Sequence, residues 1–332
     1  MELSGQKILV TGSTGFIGGH ITRRLLGREC AAVRMLARDA RKANELVKLG
    51  AGAVEGDLGD MASLERAVEG TEAVVHAAAQ VSSVPKRETF AQSNCRGTEN
   101  LLWAAARAGV RRVVHLSSIA VFGMPAEGEI TDRSPRGTSG DPYAASKYDA
   151  EVAVERYSRE RGLPVIILRP SAVYGPGSTH WSVIPLKRIK KGKFFLVEEG
   201  QGLLNYVYID NLVDAVVLAL QSNAAASDAF IVNDGAVTWC EFFMAYARMA
   251  GIVKKLPSVS LLGAKIWARY RNLLAAVNRE SSRVPAEALG FLAARAVYHQ
   301  THIEETLGHH PRIDLREGMS RTEGWFHETG LL

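Results

Sequence analysis

Lys7-Ile-Leu-Val-Thr11-Gly12-Ser13-Thr14-Gly15-Phe16-Ile17-Gly18 opens the chain with a short apolar run that breaks into three glycines spaced three apart. Ile21, Leu25 and Leu26 then recur at helical spacing. The order is strand, glycine-rich turn, helix. Such a turn lets backbone N–H groups at a helix N-terminus approach a pyrophosphate closely, and the helix dipole favours the anion. Glycines alone are a weak signal, since a purely structural turn can have the same spacing. The strand before them, the helix after them and a second strand at Ala32-Val-Arg-Met-Leu-Ala37 turn the reading to dinucleotide binding.

Outward from that unit the alternation continues. A third short strand runs through Ala53-Val-Glu-Gly-Asp57-Leu58, a fourth through Ala73-Val-Val-His76, a fifth through Arg112-Val-Val-His-Leu116 and a sixth through Pro164-Val-Ile-Ile-Leu168, with helical segments between them. That is the pattern of a parallel sheet with crossover helices. The expected fold is α/β: a Rossmann-type, doubly wound parallel sheet, with a smaller, mostly helical C-terminal lobe. The dinucleotide domain is expected over residues 1–174 and 206–235, and the substrate lobe over 175–205 and 236–332. Arg169-Pro-Ser-Ala-Val-Tyr-Gly-Pro-Gly177 reads as a stiff turn after the sixth strand. A dinucleotide fold that prefers NAD places Asp or Glu about 20 residues past the glycines. Here that region reads Ala37-Arg38-Asp39, and a guanidinium suits a ribose 2′-phosphate. NADP(H) is favoured, Asp39 keeps NAD(H) open, and a solvated Arg38 at a strand end is the bland alternative. The small residues Ala77, Ala78 and Ala79 would let the backbone lie against the nicotinamide-side ribose. His76 reads as a packed strand residue.

Ligands bind outside the carboxyl ends of strands in such sheets, which puts Ser117 and Ser118 where chemistry is expected. A second stretch, Asp141-Pro-Tyr143-Ala-Ala-Ser-Lys147, sets a phenol and an ammonium four residues apart at the start of a helix. Residues at i and i+4 share a helix face. A phenol is a poor acid–base catalyst near neutrality, and a neighbouring ammonium is expected to draw its pKa down. A serine hydroxyl such as Ser118 could hold a substrate oxygen while Tyr143 exchanges its proton.

Composition bounds the rest. At 332 residues, 47% hydrophobic and 23% charged, the chain is that of an ordinary globular protein of one large α/β unit or two lobes. Its formal charge of +5 is spread through Arg-rich helices, which argues against nucleic acid as a partner. Cys30, Cys95 and Cys240 have no metal-like spacing, so no metal site is expected and the three fit a reducing compartment. The first strand begins within a few residues of Met1, leaving no room for a signal peptide, and no window is apolar enough for a transmembrane span. The cytoplasm is the expected compartment, and a homodimer is an open option. The lysines of Lys187-Arg-Ile-Lys-Lys-Gly-Lys193 read as a solvated face. The stretch from Leu256 to Val277 is apolar but interrupted by Lys265, Arg269 and Arg271. It reads as helices covering a pocket, with weak contact to a membrane surface as the alternative.

Taken together, Thr11-Gly-Ser-Thr-Gly-Phe-Ile-Gly18, Gly56-Asp57-Leu58, His76-Ala-Ala-Ala79, Asn94-Cys-Arg-Gly-Thr98, Ser117-Ser118, Tyr143-Ala-Ala-Ser-Lys147 and Arg169-Pro170 resemble the motifs of the extended short-chain dehydrogenase/reductases. That branch includes sugar-nucleotide epimerases and 3β-hydroxysteroid-dehydrogenase-like enzymes, and the resemblance covers Lys7 to about Gly235. It implies Tyr143 as acid/base, Lys147 as its pKa partner and ribose anchor, and Ser118 as donor to the substrate oxygen. Asn94 would hold the helix and water path behind Lys147. The cofactor cradle implied is Gly12, Thr14, Gly15, Phe16, Ile17, Gly18, Arg38, Asp57, Leu58, Ala77, Ala78, Ala79 and Ser117, with Tyr143, Lys147, Pro170 and Val173.

The substrate is expected to be a small molecule. Sugar-nucleotide members carry an Asn after the sixth strand and an Arg before a later strand, where this chain has Ala172 and Leu204. The Arg-Pro-Ser-Ala-Val-Tyr-Gly-Pro stretch and the C-terminal Glu317-Gly-Met-Ser-Arg-Thr-Glu-Gly-Trp325 look more like the 3β-hydroxysteroid dehydrogenase and dihydroflavonol reductase groups. The expected reaction is a ketone–alcohol interconversion on an apolar or mixed substrate, in a pocket drawn from a few of Trp181, Phe194, Phe195, Leu261, Ile266, Trp267, Phe291 and Tyr298. A nucleotide-sugar epimerase or dehydratase is the runner-up. A cofactor-binding protein without turnover is the third option.

Overall fold

A computed structural model describes residues 2–80, 91–138, 141–223, 228–277 and 286–332. Seven strands form the central sheet: β1 (Lys7–Thr11), β2 (Ala32–Ala37), β3 (Gly52–Glu55), β4 (Ala73–His76), β5 (Arg112–Leu116), β7 (Val165–Pro170) and β11 (Ala229–Val232). A short β6 (Glu129–Ile130) lies outside it. The spatial order is β11-β7-β5-β4-β1-β2-β3, and every pairing is parallel. The order runs outward in two directions from β1 and β4, so their carboxyl ends mark the switch point where ligands bind in such sheets. Ile8, Leu9, Val10, Val74, Val75, Val113 and Val114 are buried on both faces, as expected of strands covered by helices on each side.

Local chemistry sets the helix bearing Tyr143. Asp141 caps it by accepting from the Ala144 N–H at 2.9 Å, Pro142 stands in the first turn, and Gly162 ends it with φ of 64°. The result is a 20-residue helix, Pro142–Arg161, with Lys147, Ala150, Glu151 and Val154 facing inward.

The stretch after β7 departs from the stiff turn expected of it. Arg169 and Pro170 continue β7, and Ala172–Tyr174 forms β8, paired parallel with β10 (Leu203–Tyr208). Pro170 is tolerated because it is the last residue of β7, where the missing N–H costs no interior ladder bond. On its other side β10 takes β12 (Gly235–Thr238) in antiparallel pairing. Two more short pairs, β9 (Leu196–Val197) with β13 (Ser258–Val259) and β14 (Val297–Tyr298) with β6, are parallel. The main core has an aromatic part: Tyr174, Phe242 and Tyr246 are fully buried, and the Tyr174 and Phe242 rings meet edge-on at 5.3 Å. Lys187, Arg188, Lys190, Lys191 and Lys193 are exposed, as a solvated face should be.

Candidate active site

The glycine turn is held tightly against the end of β4. Gly12 has φ of +75°, and a Cβ there would lie 2.7 Å from the Ala78 nitrogen. A Cβ at Gly18 would lie 2.2 Å from the Gly12 carbonyl oxygen. These two approaches leave no space for side chains, so only glycine lets the turn and the helix Phe16–Gly27 close on the strand ends. Gly15 is the N-cap of that helix and provides no side-chain acceptor for its first N–H groups. Beside it opens a cavity of about 630 Å³ lined by Thr11, Gly12, Thr14, Gly15, Leu36, Ala37, Arg38, Gly56, Asp57, Leu58, Gly59, Ala77, Ala78, Ala79, Gln80, Arg96 and Asn100. Its place, its glycine floor and a helix N-terminus that no side chain caps fit a dinucleotide.

Of the residues implied for the cradle, Gly12, Thr14, Gly15, Arg38, Asp57, Leu58, Ala77, Ala78 and Ala79 line this cavity. Phe16 and Ile17 stand behind the turn, half-buried. Ser117, Pro170 and Val173 are buried at or just beyond the carboxyl ends of β5 and β7, outside the cavity wall. Gln80, Arg96 and Asn100 line it without having been read from the sequence. Arg96 lies within the Asn94–Thr98 motif, the signal that could have found it. Asp39 turns away: its carboxylate accepts from the Arg41 side chain at 3.0 and 3.2 Å and from the Arg41 backbone at 3.0 Å. Arg38 is exposed at the cavity.

The second cluster surrounds Tyr143. Ser118 follows β5 and caps a short turn by accepting from the Ala120 N–H at 3.2 Å, and its hydroxyl is hydrogen-bonded to the Tyr143 phenol. Lys147 is buried, and its Nζ donates to the Leu116 carbonyl at 2.7 Å. The expected drop in the phenol pKa is not found. Burial pushes Tyr143 up to about 12, the Ser118 hydrogen bond opposing it and the Asp141 charge adding to it. Burial also draws Lys147 down to about 8, against the pull of the Glu151 carboxylate. Desolvation penalises the charged form of each group and outweighs their neighbours. A phenol in this state is a proton donor near neutrality.

Asn94 lies behind this helix. Its side chain accepts from the Gln80 N–H at 2.7 Å and donates to the Gln80 carbonyl at 3.2 Å and to the Ser146 hydroxyl at 3.0 Å. Its own carbonyl accepts from the Thr98 hydroxyl at 2.5 Å. His76 is held between the Thr11 and Thr98 hydroxyls at 2.7 and 2.9 Å. Burial and the nearby Lys147 charge push its pKa down to about 3, so it stays a neutral packed residue.

Sequence reasoning missed the support under Lys147. Glu151, one turn further along and fully buried, accepts from Arg169 at 3.0 and 2.8 Å and from Arg136 at 2.8 Å. Burial would raise its carboxyl, but the Arg169 hydrogen bonds and charge, with the Arg136 hydrogen bond, hold it below its usual value. The available signal was the four-residue step from Lys147 to Glu151 together with the Arg169-Pro170 pair.

On the substrate side, Ala172 is buried in β8 and Leu204 is fully buried in β10. Of the aromatic residues considered for a pocket, Trp181, Phe194 and Phe291 gather around Trp239 and Phe243, with ring centroids 4.7 to 6.0 Å apart. Tyr298 is buried against Phe122. Ile266 and Trp267 do not join them: both are exposed on the helix Leu261–Val277. That helix packs inward through Ala264 and Ala268, with Leu261 beside them, against Val197 and Leu289.

Comparison with known proteins agrees with this geometry. A model of the NAD dependent epimerase/dehydratase family matches residues 8–233. Over 237 residues the chain is 32% identical to the 2-alkyl-3-oxoalkanoate reductase of Stenotrophomonas maltophilia (strain K279a), covering 69% of this chain and 71% of that one. The UDP-glucose 4-epimerase of Vibrio cholerae is 29% identical over 334 residues, covering 96% and 94%. Among solved structures, DesIV, the dTDP-glucose 4,6-dehydratase of Streptomyces venezuelae with NAD bound, superposes with a TM-score of 0.79 at 26% identity, covering 97% of each chain. The glycine turn locked under β4 and the family match across most of the parallel sheet lead to one conclusion: the chain belongs to the NAD-dependent epimerase/dehydratase family, within the extended short-chain dehydrogenase/reductases.

Proposed function

We propose that this protein is an NADP(H)-preferring oxidoreductase that interconverts a ketone and a secondary alcohol on an apolar or mixed small molecule. The observation that carries the substrate reading is the pair Ala172 and Leu204, both buried and apolar at positions where an amide and a guanidinium would grip a diphosphate. A diphosphate entering without them loses charge-assisted hydrogen bonds and still bears the desolvation cost. The likeness to a 2-alkyl-3-oxoalkanoate reductase supports the same side. Residues 1–174 and 206–235 form the dinucleotide domain in this reading, and residues 175–205 and 236–332 the substrate lobe.

The bound dinucleotide would supply or take up the hydride at the carbonyl carbon. Tyr143, protonated near neutrality, gives its proton to the carbonyl oxygen in the reductive direction. Ser118 shares a hydrogen bond with that phenol and holds the same substrate oxygen. Lys147 uses one of its three N–H donors on Leu116, and the others serve the ribose and the phenol side. Asn94 acts at one remove, fixing Ser146 beside Lys147. Arg38 is the residue assigned to the 2′-phosphate, because Asp39 is already committed to Arg41.

The second reading, a nucleotide-sugar epimerase or dehydratase, draws on the likeness to the Vibrio cholerae epimerase and to DesIV. One pair of experiments separates the two. A panel of alkyl and cyclic ketones is screened by absorbance of the reduced nicotinamide with NADPH and with NADH, and UDP-glucose is titrated calorimetrically into the NADP(H)-loaded protein. The ketone reading expects NADPH consumption and no nucleotide-sugar binding. Binding of UDP-glucose in about the micromolar range, or an epimerised product, would move the protein to the second reading. Tight cofactor binding without turnover of either class would leave a non-catalytic cofactor-binding protein.

A further inference from the structure

The helix Leu261–Val277 presents an unusual outer face. Leu262, Ile266, Trp267, Tyr270 and Leu273 are between 46% and 69% exposed. With about 3.6 residues per turn they fan across roughly 140° of the helix, one continuous apolar and aromatic stripe. Phe195, exposed next to β9, extends it through an edge-on contact with Trp267 at 5.8 Å. Scattered exposed apolar residues are ordinary, but a contiguous set marks a contact surface.

Charge selects the occupant. Lys265 and Arg269 are exposed along one margin of the stripe, and Arg271 stands at the other. From Gly251 to Val277 the chain has five basic residues, Lys254 and Lys255 included, and no Asp or Glu. The neighbouring Glu198 is turned to the start of the helix, where its carboxylate accepts from the Leu261 N–H at 2.5 Å. An isologous dimer through this face would bring two copies of Lys265 and Arg269 into one interface, where lysine is depleted. Residues 278–285, which follow the helix in sequence, bring only Val284 and Pro285 as apolar side chains. An apolar stripe with Trp and Tyr, bordered by cations, matches the interface of an anionic bilayer.

We infer that the outward face of the Leu261–Val277 helix docks this protein on an anionic lipid surface, with the helix lying in the interface plane. No helix among the described residues is long and apolar enough to cross a membrane, so the contact is peripheral. It stands apart from the ketone reading and holds for either substrate class.

The test is co-sedimentation of the full chain with vesicles of phosphatidylcholine, alone and with roughly one-quarter phosphatidylglycerol. The wild type is expected to bind the anionic vesicles and to be released by salt. Ile266→Asp combined with Leu273→Asp should lower that partitioning by at least about tenfold, since both apolar groups leave the interface. Lys265→Glu combined with Arg269→Glu should lower it by on the order of thirtyfold or more on anionic vesicles alone, at about fivefold per surface charge. Unchanged melting temperature and NADPH affinity confirm that both variants are folded. Wild-type protein left in the supernatant, binding indifferent to lipid charge, or binding that survives the apolar substitutions would overturn the inference. So would a dimer in sedimentation velocity that Ile266→Asp with Leu273→Asp dissociates, which would assign the face to a second copy.

Discussion

Tyr143 shows how far a single residue could be read. Its place at the head of a helix and its pairing with Ser118 followed from the sequence, but the direction of its pKa did not. Spacing supplied the ammonium of Lys147; only the packed structure supplies the burial that outweighs the Ser118 hydrogen bond and pushes the phenol up to about 12. Tyr143→Phe is therefore expected to cut turnover by about 10²–10⁴-fold while cofactor affinity stays nearly unchanged. Stopped-flow reduction and fluorescence titration of NADPH measure the two quantities, and a variant keeping most of its rate would remove Tyr143 from the acid role. Arg38 supports a second expectation at this scale. Arg38→Ala should weaken NADPH by roughly 10–150-fold, the worth of a charge-assisted hydrogen bond, and leave NADH alone. Equal losses for both cofactors would make Arg38 structural and return the choice to NAD(H). Glu151 was missed because the four-residue step from Lys147 does not by itself show that Arg136 and Arg169 converge on it.

Elements were more legible than residues wherever a local rule governs them. The strand, glycine turn and helix at the start of the chain, and the parallel strands that follow, lie where periodicity and turn chemistry put them. β8 was hidden because Ala172-Val-Tyr174 pairs with β10, some thirty residues later, and long-range pairing leaves no local mark. The outward face of the Leu261–Val277 helix was obscured for the same reason: its apolar residues suggest burial, and only the position of Ala264 and Ala268 shows which side packs. The glycine turn yields a prediction that contrasts with Arg38. In Gly18→Ala the new methyl would meet the Gly12 carbonyl oxygen at 2.2 Å, against backbone that cannot rotate away. Overpacking of this kind costs about 1–3 kcal/mol. The variant should lose stability in urea and bind NADPH and NADH more weakly by the same factor, since the turn faces the part common to both. A variant with wild-type stability and affinities would show that the close approach is not needed.

At the scale of the whole molecule, carboxyls with shifted pKa values bend the pH dependence of stability in opposite directions. Asp234, between β11 and β12, accepts from the Tyr208 N–H at 2.7 Å and from Asn211 at 2.8 Å. Asn211 in turn donates to the Ile313 carbonyl at 2.8 Å and accepts from the Arg312 N–H at 3.1 Å, tying down the C-terminal segment. Glu151 is held below its ordinary value by its arginines, so its contribution is present above the usual carboxylate range and lost as pH falls below it. Asp234 has the reverse sign. Burial raises it to about 7, above the unfolded value of 3.8, so the folded state holds a proton that the unfolded state has released between those values. Stability therefore falls as pH rises through that window, by up to about 1.4 kcal/mol per unit. Asp132, raised to about 6 by burial, adds to the same limb. Asp234→Asn cannot ionise and keeps one acceptor for Tyr208. Measured by urea unfolding from about pH 4 to 8, its stability relative to wild type should improve steadily with pH and level off above about 7. The total change is expected to be on the order of 2–4 kcal/mol, whatever fixed offset the amide introduces. A difference that stays flat across the window would mean that Asp234 is ionised throughout, and that its contacts with Tyr208 and Asn211 hold a charge rather than a proton.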